Sequence, residues 1–268
     1  MREKKLLLWL MIFAVIGCSK KDDIQPEAIK LDGYLFQLMH YSRSVLSSPS
    51  DLVTFDYDMN NRIIRRNGGV YDSSLDPSTG YRYMFSDKIY DELTYDGNKI
   101  IIEKKSTSPN IDPSIFKRTY IMNDVGKIIQ KTIETSPLTP IEIIYYEYNL
   151  SGQLFYSSSE GLNYSKESHY LYNTNSNLKS IITQEYDEQM TLTRKVSEEF
   201  FNFDDSKNSI QNLMIFEEVF NRTLSKNNYS KYTITVEEYG TGGFSSHGEY
   251  FQWTFQYDEN GNILFNTY

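Results

Sequence analysis

Apolar and polar positions alternate strictly near the end of the chain. Phe251, Trp253, Phe255 and Tyr257 are aromatic, and Gln252, Thr254 and Gln256 separate them. Period two puts the aromatics on one face of an extended strand. Ile144, Tyr146 and Tyr148 repeat the pattern, as do Tyr170 with Tyr172 and Phe201 with Phe203. Only Ile29 to Leu46 suggests a helix, through Leu31, Tyr34, Leu35 and Leu38.

The last alternating segment runs into Tyr257-Asp258-Glu259-Asn260-Gly261-Asn262-Ile263, and this frame recurs. Tyr148-Asn149 leads through Gly152 to Leu154, and Met122-Asn123 through Gly126 to Ile128. Tyr57-Asp58 reaches Ile63 with Asn61 in the glycine place, and Tyr172-Asn173 reaches Leu178 with Ser176 there. Tyr95-Asp96-Gly97-Asn98-Lys99-Ile100 is one residue shorter, and Phe203-Asp204 to Ile210 one longer. The frame predicts a β-hairpin. Asp or Asn accepts backbone N–H groups two residues on, Gly or Asn supplies positive φ, and the aromatic then faces the aliphatic across the strand pair. On this reading the turn residues are Asp58, Asp96, Gly97, Asn123, Gly126, Asn149, Gly152, Asn173, Asp204, Asp258 and Gly261. The two length variants predict loops of two and of four residues that keep the facing pair.

The leading positions 57, 95, 122, 148, 172, 203 and 257 are 38, 27, 26, 24, 31 and 54 residues apart. The last interval leaves room for an eroded repeat around Tyr229 to Gly243. Two strands per period give roughly 14 to 16 antiparallel strands in an all-β up-and-down meander. Twist accumulates with strand number, so the expectation is a curved open sheet or barrel-like half-pipe, or two layers. Glu198 and Glu199 on opposite faces of one strand argue against a lipid-facing barrel.

Tyr-Asp-x-x-Gly-x-Ile/Leu resembles the YD repeat of RHS-type proteins over most of residues 50–268, with Gly in the consensus place in three copies. The resemblance implies scaffold and brings no catalytic residue.

The N-terminus carries a different signal. Arg2, Lys4 and Lys5 precede an unbroken apolar run from Leu6 to Ile16, followed by Gly17-Cys18. Eleven residues fall short of the roughly 20 needed to span a bilayer as a helix, so the segment reads as an export signal. Val15-Ile16-Gly17-Cys18 resembles the lipobox of bacterial lipoproteins, which implies lipidation of Cys18 and loss of residues 1–17. The following Ser19-Lys20-Lys21-Asp22-Asp23 resembles the acidic surface-export signal of Bacteroidota lipoproteins. The expected organisation is a signal peptide over 1–17, a lipidated Cys and tether over 18–28, and a single β-repeat domain over 29–268. The expected location is the outer membrane, anchored through Cys18 and facing the exterior, with the periplasmic face as the alternative.

Charge and chemistry narrow the partners. The formal charge is −9, and release of residues 1–17 leaves 24 basic against 35 acidic residues. Such a body repels phosphate backbones, so nucleic acid is not an expected partner. The sole cysteine excludes an intrachain disulfide and a thiolate metal site. His40, His169 and His247 lie outside any metal-ligand spacing of one another, and no cofactor or metal is expected. Asp56 to Asn60 resembles a calcium loop but has Asn61 and Asn67 where Gly and Glu would be needed.

Three acidic doublets, Glu198-Glu199, Glu217-Glu218 and Glu237-Glu238, would align Glu199, Glu218 and Glu238 in a column if all lay on neighbouring strands. Tyr145, Phe155, Tyr164 and Tyr186 fall off the repeat frame and are candidate ligand contacts. The leading expectation is a non-enzymatic binding or structural module for a glycan or protein ligand. A hydrolase or accessory subunit using carboxylates inside the half-pipe, and an envelope assembly or immunity-type protein, are the alternatives. Two carboxylates converging in a concave pocket would favour the hydrolase.

Overall fold

The structure is a computed structural model that describes residues 30–39, 45–73, 83–111, 113, 117–135, 142–161, 164–240 and 243–265. Cys18, its signal and tether, and His40 lie outside the described residues. The described residues form one 15-stranded sheet. It opens with β1 (Gly33–Leu35), a single helical turn α1 (Phe36–Met39), β2 (Val45–Leu46), β3 (Leu52–Tyr57) and β4 (Ile63–Asp72). The long β5 (Tyr83–Asp96) is followed by β6 (Lys99–Ser106), β7 (Lys117–Met122), β8 (Ile128–Glu134), β9 (Glu142–Tyr148) and β10 (Leu154–Glu160). Then come β11 (Tyr164–Tyr172), β12 (Leu178–Asp187), β13 (Leu192–Phe203), β14 (Tyr229–Gly240) and β15 (Gly243–Gln252). Apart from β2, which pairs in parallel with β5, each strand lies antiparallel to its neighbour, in the order β1, β3, β4 and so on to β15. Among the described residues of 29–46, helix is limited to α1, and Tyr34, Leu35 and Leu38 are buried through β1 and that single turn.

The tight turns share one chemistry. At Asp58 a carboxylate oxygen accepts from the N–H groups of Asn60 (2.8 Å) and Arg62 (2.9 Å). Asn61 at φ 60° closes the turn. Asn123, Asn173 and Asp258 accept the same pair of bonds, and Asn149 accepts from Gln153 N–H at 2.9 Å. Glycine is needed where φ is 75° at Gly126 and 76° at Gly152. Tyr57 faces Ile63, Met122 faces Ile128, Tyr148 faces Leu154, Tyr172 faces Leu178 and Tyr257 faces Ile263. The short variant closes through Gly97 at φ 57°, with Tyr95 facing Ile100. A further copy, Tyr186-Asp187 to Leu192, uses Met190 at φ 61°.

The long variant is different. Phe203 pairs with Tyr229, not Ile210, and residues 204–228 form an insertion rather than a four-residue loop. Asp204 still accepts from Ser206 N–H, as in the other turns, but also from Asn228 N–H (3.0 Å), so it clamps the neck of the insertion. Ile210, Leu213, Ile215, Phe216 and Val219 are the physical reason. Five apolar side chains cannot stay in a solvated loop, and they bury against Tyr34, Phe55, Ile102 and Tyr120 in the main core. A 3₁₀ turn (Gln211–Leu213) and α2 (Phe220–Thr223) shape the insertion.

Reach shows that the sheet curls around it. Glu218 pairs with Arg66 on β4, and Asn221 donates to Glu198 on β13. Three residues span at most about 10 Å, whereas nine strand steps on a flat sheet cover about 43 Å. The sheet is therefore a trough with the insertion inside.

A second cluster, with Leu154, Tyr170, Leu178, Phe200, Tyr229 and Tyr232, fills the β10–β14 end. The last segment is not a further sheet hairpin. β15 stops at Gln252, and the chain then crosses to the main core, where Phe255, Ile263 and Phe265 are buried and Leu35 N–H of β1 donates to Phe265 O at 2.7 Å. Of the four alternating aromatics, only Phe251 lies in a strand.

Candidate functional site

Register assembles a charged row on the inner face. Arg66 on β4, Asp91 on β5 and Lys104 on β6 are direct cross-strand neighbours. Arg118 on β7 and Lys131 on β8 continue it. The insertion lowers Glu217 and Glu218 onto this row. Arg66 donates to Asp91 at 2.8 Å and pairs with Glu218, which also accepts from the Tyr34 hydroxyl at 3.1 Å. Lys131 pairs with Glu217, while Arg118 lies 3.8 Å from Glu217 and 3.9 Å from Asp91. The Tyr120 hydroxyl donates to Ile215 O at 2.7 Å, which fixes the backbone that presents the two glutamates.

Four cations thus meet three carboxylates. Burial alone would raise the carboxyl of Asp91, but Arg118 and Arg66 outweigh it and hold it below the usual range. Glu217 is likewise lowered, by Lys131 and Arg118 against burial, although its side chain keeps 39% of its surface open and the charges are partly screened. Lys104 donates to Val70 O at 2.8 Å. Burial first, and then Arg118, bring its ammonium down to about 8.

Carboxylates do converge here, but on cations. General acid–base hydrolysis by a pair needs one member kept protonated near neutrality. The Glu198 carboxyl is raised by burial, but it lies in the second cluster, accepting from the Tyr232 hydroxyl at 2.7 Å. The three doublets do not lie on neighbouring strands, so no glutamate column forms. Glu218 is in the insertion rather than a strand, Glu199 faces Thr233, and Glu238 faces Arg194.

Three hollows adjoin these elements. One of about 90 Å³ lies beside Lys131, Tyr146, Glu217 and Phe220. Another of about 280 Å³ lies at the turn end of β3–β8 against Leu213, Met214 and Ile215. An open groove of about 550 Å³ runs between Glu185, Arg194, Glu238, Tyr239 and Phe244, with Arg194 paired to Glu185 at 3.0 Å. Among the described residues no group of three His, Cys, Asp or Glu side chains is placed to hold a metal ion. His169 packs on Tyr156 and His247 lies exposed on β15. Asp58, in the calcium-like segment, is occupied by its own turn and by Arg62.

Tyr145, Phe155, Tyr164 and Tyr186 fall on four successive strands, β9 to β12, but not on one surface. Tyr145 alternates with inner-facing Tyr146, Phe155 sits at the bulge after Leu154, and Tyr186 faces Ser165, all directed outward. Tyr164 shares the inner-face alternation of Ser168 and Tyr170. Tyr145, Phe155 and Tyr164 are exposed and Tyr186 is half-buried. The charged row has no counterpart among the sequence candidates, because its members lie far apart in sequence and meet only through strand register and the docked insertion. The Glu217-Glu218 doublet was its one visible sign.

No protein-family model matches the chain, and no curated protein matches it. Solved structures do. A porin-like protein from Bacteroides vulgatus aligns at 12% identity and a TM-score of 0.48, over 80% of this chain and 84% of that one. A porin-like protein from Bacteroides uniformis aligns at 10% identity and a TM-score of 0.40, over 76% and 89%. TcdB2-TccC3-TEV aligns at 12% identity and a TM-score of 0.21, over 74% of this chain and 11% of that one. No residue role is taken from these likenesses.

Proposed function

We propose that this chain is a lipoprotein anchored in the outer membrane through Cys18 and facing the exterior, whose β-trough is a non-enzymatic binding or structural module for a glycan or protein ligand. One observation supports the non-enzymatic part: Asp91, Glu217 and Glu218 are spent on Arg66, Arg118 and Lys131, which docks the insertion, and of the two glutamates lining the open groove Glu185 is likewise held by Arg194. The anchoring part is supported by the short apolar run ending at Gly17-Cys18. A ligand would be met on the outer face and rim, where Tyr145, Phe155, Tyr164 and Tyr186 offer aromatic surface.

Two measurements test the reading. Metabolic labelling with a fatty acid should mark the wild type and not Cys18→Ala, and protease added to intact cells should cleave the protein. Labelling that survives the substitution removes the anchor, and resistance on intact cells but not on lysed ones moves the protein to the periplasmic face. Arrays of envelope glycans and proteins should then yield a ligand whose capture weakens in Tyr145→Ala or Phe155→Ala, and glycan cleavage on the array would overturn the non-enzymatic reading.

A further inference from the structure

The tyrosines that lead the hairpin frames form a ladder at the turn end of the trough. Tyr57 donates through its hydroxyl to Leu31 O (2.8 Å), Tyr95 to Ile63 O (2.8 Å) and Tyr148 to Ile128 O (2.9 Å). In the last two, the acceptor is the aliphatic partner of the preceding frame, so each rung ties one hairpin to the next. The rung after Tyr95 belongs to Met122, whose thioether cannot donate to Ile100 O. The hollow of about 280 Å³ lies beside this missing rung, with Met122, Ile100, Tyr95 and Tyr57 in its wall.

Its lining is amphipathic. Ile63, Ile100, Met122, Leu213, Met214 and Ile215 give an apolar body. Among the described residues, Lys30 and Arg62 are the charged ones of its lining and no carboxylate lines it, in a chain of net charge −9. Both cations are held over rings, Lys30 at 5.2 Å from Tyr57 and Arg62 at 4.6 Å from Tyr95. Asp58 braces Arg62 from the turn side at 2.8 Å. The volume, about 280 Å³, lies just under the roughly 300–1,000 Å³ usual for small-molecule sites, which limits the ligand to a compact one.

We propose that this cavity binds a small amphipathic anion, a compact apolar body bearing one carboxylate, with the body against Met122 and the head at Lys30 and Arg62. This extends the binding-module reading to a small ligand and depends on neither the lipid anchor nor a macromolecular partner, so either can fail without the other. The test is calorimetric titration of the full-length chain in phosphatidylcholine nanodiscs, with empty discs subtracted. The probes are 3-phenylpropionate and hexanoate, each paired with its alcohol. At least one acid should bind saturably, about tenfold tighter than its alcohol. Met122→Tyr, which fills the hollow and supplies the missing hydroxyl, should abolish binding without lowering the thermal midpoint. Arg62→Gln, at a half-exposed position, should shrink the acid-over-alcohol preference. No saturable binding by either acid up to about 10 mM, equal binding of acid and alcohol, or full binding by Met122→Tyr would each overturn the proposal. Should Met122→Tyr fail to fold, an undiminished acid preference in Arg62→Gln overturns it instead.

Discussion

Met190 holds a left-handed backbone, φ 61°, in a turn otherwise built like those closed by glycine. For a residue with a Cβ that conformation costs about 1–2 kcal/mol, and Asn61 and Asn202 tolerate it better through their short polar side chains. Met190 is 66% exposed, so its side chain returns little burial energy. Met190→Gly should therefore raise stability by about 1 kcal/mol in urea unfolding, and a lowered midpoint would refute the strain argument. The residue scale also explains what the sequence conceals. Asp58, Asn123 and Asp258 are legible because turn bonds are local and each residue names its own partners. The Asp187 turn was missed because methionine gives no hint of positive φ. Lys104 supplies a second prediction. Its folded-state value, about 8, lies below its ordinary 10.5, so the unfolded chain binds the extra proton between those values and stability rises with pH across that window. Lys104→Met should be more stable than wild type at pH 7 and lose that alkaline rise. Parallel pH profiles for the two proteins would show that the ammonium is not desolvated.

At the scale of elements, the insertion couples strands that never pair. Phe216 is fully buried, 5.6 Å from the Phe55 ring on β3, with the Arg66 guanidinium 5.3 Å from its own ring. Phe216→Ala should cost about 3–5 kcal/mol. Hydrogen exchange should quicken in β4 to β8 more than in β10 to β13, and a uniform change would mean that the insertion does not hold the first half. The meander was legible because period two and the turn frame both act over a few residues. The insertion was not, because Asp204 makes the same bond to Ser206 N–H as a true turn, and only the next strand reveals the difference. The 54-residue interval and the cluster of apolar positions from Ile210 to Val219 were the available signs. The charged row was invisible for a related reason. Arg66, Asp91, Arg118 and Glu217 become neighbours only through strand order and curl.

For the whole molecule, the two ends of the sheet are held by one strap. Residues 253–265 leave the last strand and bring Phe255, Ile263 and Phe265 to the core beside β1, where Leu35 bonds to Phe265. A chain ending at Gln252 should lose its sharp thermal transition, and a cooperatively folded truncation would demote the strap to ornament. The docked glutamates bear on how the protein is made. Glu218 reaches back 184 residues to Tyr34, and Ile215 reaches back 95 to Tyr120. Hairpins can close one by one as the chain folds, but in the charged row Arg66, Arg118 and Lys131 meet only Asp91 until the insertion docks. Position along the chain thereby becomes a clock. The first half of the sheet should therefore gain its full stability only when residues 204–228 dock, and pulsed hydrogen exchange during refolding that protects β4 to β8 before the insertion would refute this.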